Sequence, residues 1–250
     1  MNDCDVKAIE RATVAALGAQ AVEEHGGWLL PFDTGTIARA KAAVPLGHGA
    51  FDASPAETVD FVQARYGARG MPTLFRLADV PSLGPMRSAL QHKGWIADRP
   101  TWVLTARAQA MRRVSESASA TVDPAADDAW AALFLGEGVD PVDGASRVAS
   151  LRRAIDARYV SVRDGGRAVA CGMLAFGHGW ASVHGMRTDM AERGRGLAGR
   201  VLATMAEVAR ARGVERVFLQ VEENNAAARS LYRRASFSDA WRYRYWQHPD

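Results

Sequence analysis

Glu192-Arg193-Gly194-Arg195-Gly196-Leu197-Ala198-Gly199-Arg200 joins a stretch of strand pattern to a stretch of helix pattern. The strand expected over 180–188 ends just before it. After it, Leu197, Val201, Leu202, Met205 and Val208 fall on one face of a helix expected over 197–211. Closely spaced glycines let backbone N–H groups turn toward a ligand without side-chain obstruction, and a helix start adds a positive partial charge. Two glycines flanked by arginines at that position read as an anion cradle, set against the plainer reading of a tight turn.

Gly194, Gly196 and Gly199 also satisfy G-x-G-x-x-G, with Glu222 roughly twenty residues further on, so a dinucleotide-binding turn has to be weighed. The polar stretch 189–193 counts against it, because it separates the strand from the first glycine. Only about fifty residues follow the loop, too few for the rest of a doubly wound sheet. The strands before the loop, 158–162, 167–176 and 180–188, are linked by Asp164-Gly165-Gly166 and Gly177-His178-Gly179 and read as an antiparallel meander.

Beyond the loop the pattern gives a strand over 214–221, with Val217, Leu219 and Val221 on one face and Phe218, Gln220 and Glu222 on the other. A short helix over 226–234 and a strand over 237–246 follow. Helices over 123–135 and 142–155 precede the meander. The stretch 107–121, rich in Ser, Ala and charge, reads as a linker. In the first half the pattern gives a helix over 6–24, strands over 28–32 and 36–43, a helix over 55–66 and a strand over 73–77. A helix over 83–93 and a strand over 101–106 close that half. Ala68-Arg69-Gly70 precedes Phe75 as Ala211-Arg212-Gly213 precedes Phe218, an offset of 143, and Arg87-Ser88 matches Arg229-Ser230 at 142. The agreement with element order reads as an internal duplication.

Arg193-x-x-Gly196-x-Ala198 resembles the coenzyme A pyrophosphate signature Q/R-x-x-G-x-G/A of the GNAT (general control N-acetyltransferase-related) superfamily. Leu219 to Tyr232, with Asn225-x-x-Ala228 and Leu231-Tyr232, resembles the strand, helix and Leu-Tyr pair of the same superfamily. The resemblance implies an α/β (α+β) protein of two tandem GNAT-like mixed, mostly antiparallel sheets flanked by helices, with a degenerate first copy. The expected division is 1–108 for that copy, 109–121 for the linker and 122–250 for the catalytic copy.

The resemblance further implies an acetyl-CoA-dependent N-acetyltransferase in which a primary amine attacks the thioester directly in a ternary complex. Met186, Arg187 and Thr188 would hold the pantetheine arm as a pseudo-strand. The backbone of Arg193, Gly194, Arg195, Gly196, Leu197 and Ala198 would hold the pyrophosphate. Tyr232 matches the tyrosine that protonates the departing thiolate, and Asn225 lies two helical turns earlier on its face. Where many relatives carry a glutamate base this chain has Gln220, so the base is left open between Glu222, His184 and a water chain. A non-catalytic acyl-CoA-binding module is the alternative from another class. The loop's counterpart in the first half is Ala50-Phe51-Asp52-Ala53-Ser54-Pro55, without glycine, and Leu90 stands where Tyr232 should be, so the first copy is expected neither to bind coenzyme A nor to catalyse.

The 250 residues carry 31 basic and 28 acidic side chains, and residues 1–110 hold 11 of each, so the net +3 lies in the second half. Six arginines between Arg193 and Arg216 make the excess local, which suits one phosphate-bearing ligand better than a duplex. Trp241, Tyr243 and Tyr245 share one strand face and read as cross-strand packing or the lining of an acceptor pocket. Six histidines lack metal spacing, and Cys4 and Cys171 form no disulfide framework. No apolar run reaches membrane-spanning length and no signal core follows the acidic start. The expectations are therefore a cytoplasmic protein with no metal, no nucleic-acid partner and no membrane partner. It would take a small-molecule or peptide amine as acceptor, with a homodimer as one open assembly.

Overall fold

The computed structural model describes residues 1–49, 53–136 and 138–249. Helix α1 (Asp3–Ala16) is capped by Asn2, whose side chain accepts from the Asp5 N–H at 2.9 Å. The helix expected over 6–24 is shorter because Gly18, at φ +57°, breaks it. A hairpin of β1 (Ala21–His25) and β2 (Trp28–Phe32) follows, turning at Gly26 and Gly27, both with positive φ. That glycine pair is a type I′ turn signal the helix pattern overrode.

The strand expected over 36–43 is instead a 3₁₀ turn, Ala38–Ala40, leading to β3 (Val44–Pro45). Its alternation of small and charged residues reflects burial of the alanines in a turn, since Ala40, Ala42 and Ala43 are fully buried. Next come α2 (Pro55–Gly67), β4 (Leu74–Ala78), α3 (Gly84–His92) and β5 (Ile96–Arg107). Helix α2 starts at Pro55 as expected, although the Ser54 side chain makes no cap. Its upstream neighbours, residues 50–52 of the first-half loop counterpart, lie outside the described residues.

The stretch after β5 carries its own structure: α4 (Ala108–Met111), a 3₁₀ turn Arg112–Val114 and β6 (Thr121–Asp123). Met111 is wholly buried in the same cluster as Val201 and Met205, so this segment packs on the helix that follows the glycine loop. The second half continues with α5 (Asp128–Ala132), α6 (Pro141–Arg152), β7 (Ala157–Asp164), β8 (Arg167–Gly177), β9 (Trp180–Thr188), α7 (Leu197–Ala211), β10 (Arg216–Glu222), α8 (Ala226–Arg234) and β11 (Ser238–Gln247). The helix expected over 123–135 starts late because Asp127 takes the cap position, accepting from the Trp130 N–H at 2.8 Å.

Eight strands form one mixed, mostly antiparallel sheet in the order β4-β11-β5-β10-β9-β8-β7-β6, and β1-β2-β3 form a second. The meander β7-β8-β9 is antiparallel as its turns require. Among the described residues a parallel bridge, Ala43 to Phe75, links the two sheets. The pairs α2/α7, β4/β10, α3/α8 and β5/β11 each begin 142 residues apart, so the duplication read from a few identities extends to the elements. The last strands are exchanged: β5 lies between β10 and β11, and β11 between β4 and β5.

The expected division of β10 is realised in the core. Val217, Leu219 and Val221 pack with α7 on one face, and Phe218 packs on the other with Trp180, Trp241, Tyr243 and Tyr245 beneath α1. Each such buried apolar side chain contributes about 1.5–3 kcal/mol. Burial on both faces therefore fixes which residues of β10 can face a ligand.

Candidate active site

Strands β9 and β10 run parallel but stay paired over only three positions, Val217 with Ala181, Phe218 with Ser182 and Leu219 with Val183. Beyond these, β9 runs on through His184 to Thr188 and β10 through Gln220 to Glu222, so the two strands part. Strand β10 remains paired with β5 along its whole length, which leaves the departure to β9. Its cause is an extra residue: Met173 lies opposite His184 and Cys171 opposite Arg187. Gly185, at φ +60°, makes the bulge possible. A Cβ there would stand 2.9 Å from Leu151 Cδ1 and 3.2 Å from Phe134 Cζ.

At the open end of the parting, Asp189 caps a 3₁₀ turn (Met190–Glu192) and the chain enters α7 through Gly194 and Gly196, at φ +78° and +74°. Gly196 is the N-cap and offers no side chain to the first-turn N–H groups. A Cβ on either glycine would meet nothing within 4 Å, so the loop is open toward solvent. Arg167 bonds Asp189 at 2.6 Å and Glu192 at 3.4 Å, Arg195 bonds Glu192, and Arg200 bonds Ser119 Oγ at 2.9 Å. Arg193 has no ion pair among the described residues and stays exposed. The helix start thus has open amides, a positive end and one uncommitted guanidinium, a combination that fits a diphosphate.

Met186, Arg187 and Thr188 lie on the parted stretch of β9, half-buried. The Arg187 guanidinium stacks 4.9 Å from the Phe134 ring centre. Burial, joined by the charge of Arg147, lowers the Arg187 pKa. Tyr232 is 7% exposed on α8, 5.9 Å from the Phe237 ring, and burial pushes its phenol up to about 12 against the pull of Arg39. Its hydroxyl has no hydrogen-bond partner among the described residues. Asn225 caps α8, its side chain accepting from the Ala228 N–H at 3.1 Å.

His184 is 6% exposed, packs edge-on to Phe218 at 6.5 Å and has a buried Nε2 without a partner. Burial and then the charge of Arg39 push it down to about 3, so the imidazole is neutral at physiological pH. Glu222 is exposed at the end of β10. With Arg99, Pro100, Glu223 and Asn224 it lines a cavity of about 330 Å³. Gln220 is locked: its Nε2 donates to Thr13 Oγ1 at 2.9 Å and its Oε1 accepts from the Tyr243 hydroxyl at 2.9 Å. His184 on β9 and Gln220 and Glu222 on β10 thus lie beyond the last paired residues of the parting, and Tyr232 on α8 packs in the cluster that holds Leu219 and Val221 of β10.

The sequence reading missed what the first half supplies here. Arg39, in the 3₁₀ turn before β3, hydrogen-bonds Tyr243, and its charge adds to burial in lowering the pKa of His184 and opposes the burial-driven rise at Tyr232. Beneath α1, Glu10 and Arg76 form an ion pair with side chains 4% and 1% exposed. Arg76 lies 5.0 Å from the Tyr243 ring centre. The signal was a lone charge in Ile37-Ala38-Arg39-Ala40, an otherwise apolar run. No group of three potential metal ligands occurs among the described residues, and no described helix is long and apolar enough to cross a membrane.

A parted parallel strand pair leading into a glycine-started helix, within this order of elements, defines an acetyltransferase of the GNAT type. The family described as probable histone acetyltransferase Rv0428c C-terminal matches residues 3–246, and the chain belongs to it. Among relatives, an uncharacterized N-acetyltransferase YobR of Bacillus subtilis (strain 168) is 24% identical over 251 residues, covering 96% of this chain and 98% of that protein. A mycothiol acetyltransferase of Clavibacter michiganensis is 40% identical over 75 residues, which span 30% of this chain and 24% of that protein. The solved structure of a GCN5-related N-acetyltransferase from Kribbella flavida superposes with a TM-score of 0.71 at 18% identity, covering 97% of this chain and 95% of that one. A tandem GNAT protein from the clavulanic acid biosynthesis pathway gives 0.61 at 15% identity, covering 97% and 92%.

Proposed function

We propose that the chain transfers an acetyl group from acetyl-CoA to a primary amine by direct attack in a ternary complex. The observation that carries this reading is the parting of β9 from β10 directly before the uncapped, solvent-open start of α7. The amides from Arg193 to Ala198 would hold the pyrophosphate, and Met186, Arg187 and Thr188, with backbone freed from β10, would take the pantetheine arm as a strand. When bound, acetyl-CoA supplies the acetyl group as a reactive thioester.

The protein's own work is alignment and proton handling. The amine must shed one proton before it attacks and a second as the amide forms. Glu222, on the water-exposed end of β10 and lining the cavity, accepts the first through water. His184 is too weakly basic for that step and serves as a neutral polar wall. The Tyr232 hydroxyl, held protonated by burial, donates to the sulfur as it departs, and the second proton of the amine returns to the phenolate through water. Gln220, saturated by Thr13 and Tyr243, fixes the geometry of β10 against α1 and β11 and moves no proton.

In the same reading the first copy is a non-catalytic partner: residues 1–108 form it, 109–121 join it to the catalytic copy at 122–250, and Leu90 occupies the place of Tyr232. Calorimetry with acetyl-CoA on the wild type and Gly196→Glu, beside thiol release with a panel of amines, tests the proposal. Micromolar binding that Gly196→Glu abolishes, with amine-dependent thiol release, is expected. Binding without turnover on any amine would support the acyl-CoA-binding module instead, and unchanged affinity in Gly196→Glu would remove the site.

A further inference from the structure

The carboxamide of Gln220 sits in a socket built by both halves of the chain. Gln220 is the first residue of β10 beyond the last parallel pair, Leu219 with Val183, so it stands at the apex of the parting. Its Nε2 donates to Thr13 Oγ1 at 2.9 Å and its Oε1 accepts from the Tyr243 hydroxyl at 2.9 Å. Thr13 is wholly buried on α1. Its one hydroxyl proton goes to the Ile9 carbonyl at 2.8 Å, so it shows Gln220 only lone pairs. The socket thus offers one acceptor and one donor, the complement of a primary amide. A carboxylate would suit Tyr243 but would set two oxygens against each other at Thr13.

Helix α1 is itself held in place one turn earlier. Glu10 lies three residues before Thr13, on the same helix face, and pairs with Arg76 of β4. The Arg76 guanidinium stands 5.0 Å from the ring centre of Tyr243, the residue that closes the socket on β11. A shift of α1 along the sheet would break this buried ion pair, which is strongly destabilising. The first half therefore reaches the apex through a continuous set of contacts. Glu222, the base in the proposed reaction, lies two residues further along the same face of β10.

We propose that Thr13, supplied by the first half, is a positioning residue: through the Gln220 carboxamide it fixes the apex of β10, and with it Glu222, against the thioester. The inference rests on the acetyl-transfer reading and gives the non-catalytic half a part in the rate. Misplacing reacting groups by about 1 Å costs on the order of 10²-fold. One hydrogen bond at the apex then weighs more on turnover than on stability.

The test is made on the full chain, with acetyl-CoA and whichever amines the wild type turns over. Thr13→Val keeps the shape of the side chain and removes the hydroxyl, whereas Thr13→Ser keeps the hydroxyl. Thr13→Val should lower kcat at least about tenfold. Its KM for the amine and its acetyl-CoA affinity by calorimetry should stay within about twofold of the wild type. Thr13→Ser should restore most of the rate. Val14→Ala is the control for simple loss of stability, because Val14 packs with Leu29, Val44 and Leu46 of the first half. It should keep its kcat despite a fall in melting temperature. Gln220→Glu should turn over more slowly than the wild type at pH 8. Only the protonated form of that carboxyl can donate to Thr13, so the variant's melting temperature should drop, relative to the wild type, as pH rises from 5 to 8. An undiminished kcat in Thr13→Val, an equal loss of kcat in Val14→Ala, or a Gln220→Glu faster than the wild type each overturns the proposal. If the wild type acetylates no amine, the transfer reading falls and the positioning role with it. Non-additive melting losses in Thr13→Val and Gln220→Met would then still establish the tether, and additive losses would remove that too.

Discussion

Tyr232 and His184 share one physical circumstance, burial, and it moves their pKa values in opposite directions, while the charge of Arg39 lowers both. Burial disfavours the phenolate and so keeps Tyr232 a donor, whereas for His184 it disfavours the imidazolium and so keeps the ring neutral. Tyr232→Phe should lower kcat by about 10²-fold or more with little change in acetyl-CoA affinity, as loss of a proton donor does. Steady-state kinetics beside calorimetry will separate the two effects. For His184 the folded pKa lies below the unfolded value of 6.5, so the unfolded chain binds the extra proton. Stability contributed above pH 6.5 is therefore lost as pH falls toward 3, with a slope of up to about 1.4 kcal/mol per pH unit. Denaturant melts between pH 7 and 4 should show this slope, and His184→Gln should flatten it. An unchanged slope would mean that His184 is not held neutral.

Among the elements, β9 is the one whose deformation makes the site. Its extra residue turns the strand away from β10, and Gly185 is the residue whose backbone allows it. Gly185→Ala forces a side chain into the left-handed region and against Leu151 and Phe134. It should cost about 1–3 kcal/mol of stability and weaken acetyl-CoA binding more than a surface substitution of equal stability cost. Denaturant titration and calorimetry on the same variant will test this. A variant that loses stability but binds normally would show the bulge to be a packing feature. The glycines of the loop differ from Gly185 in having open space around them, which is why a carboxylate at 196 probes the ligand and one at 185 would probe the fold.

In the whole molecule, the strand exchange decides what can exist alone. Strand β10 is bonded to β5 along its full length, and β11 is flanked by β5 and β4, so by strand pairing the second half joins its own last strand only through the first half. A fragment of residues 115–250 would leave β10 with an unpaired edge and β11 without either neighbour. It would also strip α1 from Phe218, Trp241, Tyr243 and Tyr245. Such a fragment should express as aggregate or melt without cooperativity, and circular dichroism with size-exclusion chromatography will decide it. A soluble, active fragment would mean that β10 and β11 can pair directly.

The sequence by itself determined whatever depends on neighbours a few residues away. The glycine-mediated entry to α7, the helix Leu197–Ala211, the alternation along β10 and the helix Ala226–Arg234 all follow from local spacing and backbone freedom. Each is found in the structure at those residues. The sequence could not show that β5 crosses into the other half's sheet, that Gln220 is locked by Thr13 and Tyr243, or that Glu10 of the first helix pairs with Arg76 of β4. Those are contacts between residues up to 207 positions apart. Strand pattern says which face is buried but not which strand lies alongside, and a buried charge is known by its partners rather than by its place in the chain.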